Sequence, residues 1–319
     1  MNYDLIHYDS MNYKNTKVIV TGGAGFIGSH VSDLLVKKGF NVVIFDNLST
    51  GKKEFINKKA TFEYLDITNE KKVFKLVSKV NPKYIFHLAA WPRIGRSMED
   101  PLGTHKVNVE GTLVMLEAAR RAGTARFVYS SSSSVYGEQQ SHIMKESFIL
   151  NPGSHYALQK LIGEKYCSYY AKMHSMEVVS LRYFNVYGER QSDKGVYALV
   201  IGKFLNQLKN RQKLTVYGDG KQTRDFTFVG DVAMANLLSL SAKLAKGKNA
   251  IINIGTSKET SVNQIASLLG GESKYIVPNP RGEYEERRKV ADIGLAKKVL
   301  NWEPKVTIEE GLKLLQKKK

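Results

Sequence analysis

Tyr156 and Lys160 stand four residues apart in Tyr156-Ala157-Leu158-Gln159-Lys160, shortly after a run of five serines, Ser130 to Ser134, closed by Val135-Tyr136-Gly137. On a helix, residues i and i+4 share a face, so a phenol and an ammonium would project together. A phenol titrates near ~10 and is a poor base at neutral pH. Lowering it by roughly 3 units requires about 4 kcal/mol of differential stabilisation of the phenolate. A fixed lysine cation is the local source of that stabilisation. The pair could therefore take a proton from a hydroxyl. The same spacing also arises by chance on many helices, so its meaning depends on the elements that position it.

Residues 1–16 read as an N-terminal extension in which Met11-Asn12-Tyr13 echoes Met1-Asn2-Tyr3, with no apolar stretch of signal-peptide length. Lys17 to Thr21 then forms a buried-strand pattern, followed at once by Gly22-Gly23-Ala24-Gly25-Phe26-Ile27-Gly28. Next come an amphipathic segment, Ser29 to Lys38, and an apolar run, Val42 to Phe45, ending in Asp46. Strand, glycine turn, helix, strand and acid is the context a dinucleotide-binding glycine pattern requires. Gly22, Gly25 and Gly28 would serve a tight turn, close approach to a pyrophosphate and helix packing. A plain glycine turn is the alternative for the spacing alone. Asp46, placed to accept from adenosine ribose hydroxyls, repels a 2′-phosphate and favours NAD over NADP. An oxidised nicotinamide would add a second positive charge beside the phenol.

The alternation continues with a strand at Thr61 to Leu65 before Asp66-Ile67, a helix at Glu70 to Val80, and a strand at Tyr84 to Ala90. A long helix is expected from Thr104 to Ala122, then a strand from Arg126 to Tyr129 leading into the serines. Repeated βα units imply a parallel, doubly wound sheet with ligands beyond the carboxyl ends of its strands. Asp46, Asp66, Ala89 and the serines all fall at such ends.

This ordered set resembles the extended short-chain dehydrogenase/reductases of the nucleotide-sugar epimerase/dehydratase family, particularly the UDP-hexose 4-epimerases. The similarity runs from Lys17 to Leu315 and includes Asp46-Asn47-Leu48-Ser49-Thr50-Gly51, Asp66-Ile67 and His87-Leu88-Ala89-Ala90. It continues through Asn108 to Thr112, Ser131 to Gly137, Arg182 to Gly188, Tyr217 to Gly220, Arg224-Asp225-Phe226 and Arg281-Gly282-Glu283. The resemblance implies a Rossmann-type α/β fold with a smaller α/β C-terminal substrate domain. The NAD-binding domain would span 17–184 with later strands from about 230–255, and the nucleotide-sugar domain 185–229 and 256–319.

The resemblance also implies roles. Tyr156 would take the proton of the sugar 4-hydroxyl, Ser132 would bond the same oxygen, and Lys160 would bind the nicotinamide ribose and hold the phenol acidic. Gly22, Gly25, Phe26, Ile27, Gly28, Asp46, Asn47, Ser49, Thr50 and Gly51 would contact the cofactor, as would Asp66, Ile67, Leu88, Ala89, Ala90 and Phe184. Ser134, Asn185, Leu199, Val200, Thr215, Val216 and Tyr217 would join Ser132 and Tyr156 around the substrate. Arg224 and Arg281 would take its diphosphate, since planar forks suit phosphate oxygens, and Glu283 its ribose. Among 48 Lys and Arg, a solvated surface charge is the plain alternative for either arginine.

Hydroxyls at Ser133 and Ser134, where dehydratases of the family carry acids, argue against elimination of water. Asp46 disfavours the NADPH of a keto-reductase, and no carboxylate-recognition site of decarboxylating relatives is evident. His155 replaces a frequent proline, and Trp91-Pro92-Arg93 is unusual beside a strand end; Trp91 either shapes the sugar pocket or packs as an ordinary aromatic. Lys289 falls near a position where relatives carry a gate residue, bulky or small according to the sugar. A lysine there could swing out for an N-acetyl group or pair with a sugar carboxylate.

The net charge of +18 is spread along the chain without a basic helix carrying interleaved aromatics, which disfavours nucleic acid. A phosphate-bearing substrate suits it. The single Cys167 excludes an internal disulfide and fits the cytoplasm; no apolar run reaches transmembrane length and no Cys/His cluster suggests a metal. Pro101 to Ala122 and Ser154 to His174 carry apolar residues at helical spacing, and the resemblance implies that they pair across a two-fold in a homodimer. The expected activity is NAD-dependent 4-epimerisation of a UDP-glucose or UDP-N-acetylglucosamine type substrate. The alternatives are a UDP-hexuronate or UDP-pentose 4-epimerase and a non-catalytic NAD or nucleotide-sugar binding protein. Binding proteins of this kind commonly lose the tyrosine or the lysine, and both are present here.

Overall fold

The computed structural model describes residues 13–92, 94–192, 199–277 and 287–317. The strands β1 (Lys17–Thr21), β2 (Asn41–Asp46), β3 (Thr61–Tyr64), β4 (Tyr84–His87), β5 (Arg126–Ser132), β6 (Glu177–Tyr183) and β7 (Asn249–Ile254) form one sheet. Its order is β7-β6-β5-β4-β1-β2-β3, and every pairing is parallel. This is the Rossmann-type doubly wound arrangement, with its topological switch between β1 and β4.

Its strands are apolar runs because both faces are covered. Val18, Val20, Ile44 and Phe86 point into one core cluster, and Ile19, Phe45, Ile85 and Phe127 into the other. Helix α1 (Phe26–Lys37) packs on the first face with α5 (Val229–Leu238). Helices α2 (Glu70–Val80), α3 (Gly111–Arg121) and α4 (His155–His174) lie on the second. Helix α4 begins where the Ser154 side chain accepts from the Ala157 N–H. A third apolar cluster, including Tyr187, Phe204, Val216, Phe228 and Ile265, builds the smaller lobe beside the sheet.

Four expected elements differ. Strand β5, expected from Arg126 to Tyr129, runs on through Ser132. Helix α1 starts at Phe26 rather than Ser29, because the glycine turn closes within Gly22–Gly25. Strand β4 stops at His87, leaving Leu88 to Ala90 as a loop on the cavity wall. The long helix expected from Thr104 to Ala122 is interrupted: Pro101–His105 is α-helical, Lys106–Glu110 is a π turn, and α3 follows. The widened turn contains the buried Asn108, whose side chain is engaged by Trp91 and Gln159, and such turns accompany functional sites.

The end of the chain is tied to α5 by Asp231. Its carbonyl accepts from Trp302 Nε1 at 2.9 Å and its carboxylate from the Val306 N–H at 3.0 Å. Burial pushes this carboxyl up to about 6, against the N–H bonds of Val306 and Lys305. A raised carboxyl stabilises the fold while protonated, so its contribution is full below the unfolded pKa near 3.8 and is lost as pH rises through about 6. Asp231→Asn should remove that dependence. Urea unfolding of both proteins at pH 4, 5 and 7 should show the variant gaining about 2 kcal/mol relative to wild type over the interval. Parallel curves would refute it.

Candidate active site

A cavity of about 1690 Å3 runs along the carboxyl ends of the strands and between the lobes. Pockets for one drug-sized ligand occupy roughly 300–1,000 Å3, so this one has room for two nucleotide-sized molecules. At its floor, Gly22 has φ +69°, and a Cβ there would lie 2.8 Å from the Ala89 nitrogen. A Cβ on Gly28 would stand 2.1 Å from the Gly22 carbonyl oxygen. These contacts bring the start of α1 hard against the turn. Gly25 caps that helix without a side-chain bond, so first-turn N–H groups face the cavity, as an anion requires.

Asp46, at the end of β2, lines the cavity beside the turn. Its two oxygens accept from the Ala24 N–H at 3.0 Å and the Leu48 N–H at 2.8 Å. Burial raises its pKa, and those two bonds oppose the rise. Asp66 accepts from the Thr68 N–H and hydroxyl and from Asn47 Nδ2. Burial pushes its carboxyl up, but these bonds outweigh it and the net shift is downward. The glycine cradle, the bare helix start and a carboxylate at the end of β2 fit a dinucleotide without a 2′-phosphate.

Helix α4 is pressed on β5, where Gly163 is so close that a Cβ would meet the Tyr129 hydroxyl. Lys160 is buried and donates to the Ser130 carbonyl at 2.7 Å. Burial lowers its pKa to about 8, so it remains mostly charged at neutral pH. One turn on, Glu164 accepts from Ser131 Oγ at 2.5 Å and pairs through both oxygens with Arg182 at 2.8 and 2.7 Å. Ser132 Oγ accepts from the Ser134 N–H at 3.2 Å and the Ser134 hydroxyl at 2.9 Å. Its own proton is then available to an oxygen in the cavity. Tyr156, one turn before Lys160, lines the same cavity and has its N–H bonded to Ser97 Oγ at 3.0 Å.

Of the expected substrate contacts, Asn185, Leu199 and Arg224 line the cavity, and Val200 lines a small adjoining pocket with them. Thr215 and Tyr217 instead accept from Gln207 Nε2 at 2.7 Å and Lys203 Nζ at 2.9 Å, and Val216 is buried in the smaller lobe. Gly51 packs against Ala24, and Phe184 lies in the core beside Tyr136. None of these five is on the cavity wall. The remaining expected cofactor residues all line it. Arg281 and Glu283 lie outside the described residues. Lys289 is buried on the wall, and its ammonium donates to the Ser133 carbonyl at 3.4 Å.

The profile of the NAD dependent epimerase/dehydratase family matches residues 18–255. The chain belongs to that family. It is 41% identical over 301 residues to a putative UDP-glucose 4-epimerase of Methanocaldococcus jannaschii, covering 93% of this chain and 96% of that one. The structure of a Thermotoga maritima UDP-glucose 4-epimerase with UDP-glucose matches at TM-score 0.89 and 37% identity, over 95% of this chain and 99% of that one. A Methanobrevibacter ruminantium UDP-N-acetylglucosamine 4-epimerase in complex with UDP-N-acetylmuramic acid matches at TM-score 0.87 and 32% identity, over 96% and 100%. The protein is an NAD-dependent enzyme, and these likenesses place it among the isomerases.

Several residues of this family member were not evident as site residues from the sequence. Glu164 could have been found as the next i+4 position after Lys160 on a buried helix face. His87 is buried neutral: burial, then the Lys160 charge, lowers its pKa to about 3. It bridges Thr21 at 2.8 Å and Thr112 at 3.0 Å, joining β1 to α3 under the cavity floor. No local pattern announces that link. Among the described residues there is no metal-binding cluster, and no helix is long and apolar enough to cross a membrane.

The glycine cradle generates a direct test. Gly28→Ala sets a methyl group against the Gly22 carbonyl and should displace the helix start that is expected to meet the pyrophosphate. Calorimetric titration with NAD should show affinity reduced more than tenfold. Wild-type affinity would show that the cofactor does not use this turn.

Proposed function

We propose that the enzyme interconverts the C4 epimers of a UDP-hexose, of the UDP-glucose or UDP-N-acetylglucosamine type. The observation that carries this is the convergence of Ser132, Tyr156 and the buried Lys160 on one cavity wall, with hydroxyls at Ser133 and Ser134. Tyr156 accepts the proton of the sugar 4-hydroxyl, and Ser132 donates its proton to the same oxygen. Lys160 lowers the cost of the phenolate. Bound NAD supplies the acceptor and then the donor of the C4 hydride. A 4-keto sugar turned within the cavity presents its other face, and Tyr156 returns the proton. A wide cavity permits that turn. Acid–base elimination at C5 and C6 lacks its carboxylates here. The similar epimerases support the same reading. We also propose a homodimer through the Pro101–Arg121 and α4 faces, where Leu102 is 83% exposed and Leu158 and Met173 are also uncovered.

Incubation with UDP-glucose, UDP-N-acetylglucosamine and UDP-glucuronate separately, followed by proton NMR, should show the 4-epimer of at least one. Conversion of none would overturn the proposal. Tyr156→Phe should lower kcat by roughly 10²–10⁴ with the fold retained; full activity in that variant would remove the assigned base.

One observation favours a second reading, an acidic sugar. The Lys289 ammonium is buried at the serine end of the cavity, where a carboxylate could receive a charge-assisted bond. The similar enzyme in complex with UDP-N-acetylmuramic acid holds an acidic sugar nucleotide. If the substrate is a hexuronate, Lys289→Ala should reduce kcat/KM for UDP-glucuronate more than tenfold while changing that for UDP-glucose little. Equal effects on both would dismiss it.

A further inference from the structure

We propose that Trp91 is a strap that retains the dinucleotide. Its indole N–H donates to Ser49 Oγ at 3.3 Å. Trp91 follows the loop after β4, and Ser49 follows β2. In the sheet, β1 lies between β4 and β2, so this bond crosses above the carboxyl end of β1. That end carries the Gly22 turn and the start of α1, where the pyrophosphate belongs. Trp91 and Ser49 both line the cavity. A dinucleotide reaching from Asp46 across the turn runs beneath the bond and cannot leave upward until it opens.

The two ends of the strap differ in firmness. The Trp91 backbone is clamped by Asn108, which accepts its N–H at 2.8 Å and donates to its carbonyl at 3.1 Å. Asn108 is held in turn by Gln159 Oε1 at 2.8 Å, inside the helix that carries Tyr156 and Lys160. The Arg96 guanidinium covers the ring at 3.9 Å from its centroid. The far end is a single long bond to an exposed serine. The hinge is therefore fixed to the catalytic helix and the latch is weak, an arrangement that opens at Ser49 without disturbing Lys160. The π turn has a purpose in this account, because it presents Asn108 to Trp91.

The test is release of NAD from the loaded full-length protein. Protein saturated with NAD is desalted and diluted, and free NAD is assayed against time. Trp91→Ala should release it about tenfold faster than wild type, with Trp91→Phe between them. Release from Trp91→Ala at the wild-type rate would overturn the proposal. Fluorescence gives a second reading, since the only other tryptophan, Trp302, is buried in the core. Quenching on NAD addition should occur in wild type and vanish in Trp91→Ala; quenching that persists would count against the strap. Were Trp91→Ala to lose its fold, Trp91→Phe decides. Faster release from it supports the bond to Ser49, and wild-type release overturns it.

Discussion

The Lys160 ammonium occupies a place where a charge is costly, and the rest of the site is arranged around that cost. Burial alone would strip its proton. Burial brings the pKa down to about 8, Cys167 and the Glu164 carboxylate oppose the fall, and the cation survives at neutral pH with its ammonium on the Ser130 carbonyl at 2.7 Å. Its charge helps keep His87 neutral after burial has done most of that work. On this side of the β4 floor the charge therefore sits on the lysine and not on the imidazole. A cation held rigidly by a strand carbonyl stays in place beside Tyr156, so in the role proposed for that pair little reorganisation is needed when charge moves.

The next turn of α4 holds the complementary pair. Glu164 and Arg182 are both almost wholly buried, and removing either would strand a charge at roughly 3–5 kcal/mol. Desolvation alone would lower the Arg182 pKa, but Glu164 outweighs it and the net shift is upward. What the pair achieves is alignment. Glu164 accepts from Ser131, so β5 is locked to α4 at the residue beside Ser132. Side chains alternate along a strand. Ser131 therefore turns back to the helix while Ser132 faces the cavity, and neighbouring serines of one run perform opposite tasks.

That division explains what could be read before folding. The glycine turn and Asp46 were legible because their geometry is local: a tight turn, a helix start and the next strand end. The parallel, doubly wound sheet followed from the βα alternation. Tyr156 and Lys160 were legible because i, i+4 spacing survives in any helix. The π turn at Lys106–Glu110 was not, because it exists to serve Asn108 contacts with Trp91 and Gln159, far apart in sequence. Phe184 sits next to the cavity residue Asn185 in sequence, yet its ring turns into the core. Thr215 to Tyr217 lie in a strand, but its side chains are engaged by Gln207, Lys203 and the apolar cluster. A motif identifies the segment, whereas the fold decides which face of it meets the ligand.

The end of the cavity beside the smaller lobe obeys a constraint of the same kind, centred on Asp225. This buried carboxylate accepts from the Thr256 N–H and hydroxyl and from the Ser257 and Ala291 N–H groups. Burial raises its pKa, and all four bonds oppose that rise, so the charge is held by donors rather than by a cation. Its neighbour Arg224 reaches the cavity, and Ala291 is two residues beyond Lys289. Gly255 follows β7 directly, and a Cβ there would collide with Ala291 at 2.4 Å and the Asp225 carboxylate at 2.7 Å. The last strand of the cofactor sheet thus ends in the knot that fixes both basic residues. The cofactor sheet and the segments that carry Arg224 and Lys289 therefore cannot shift independently, and a cavity between two lobes keeps the registry that the proposed transfer at one carbon demands.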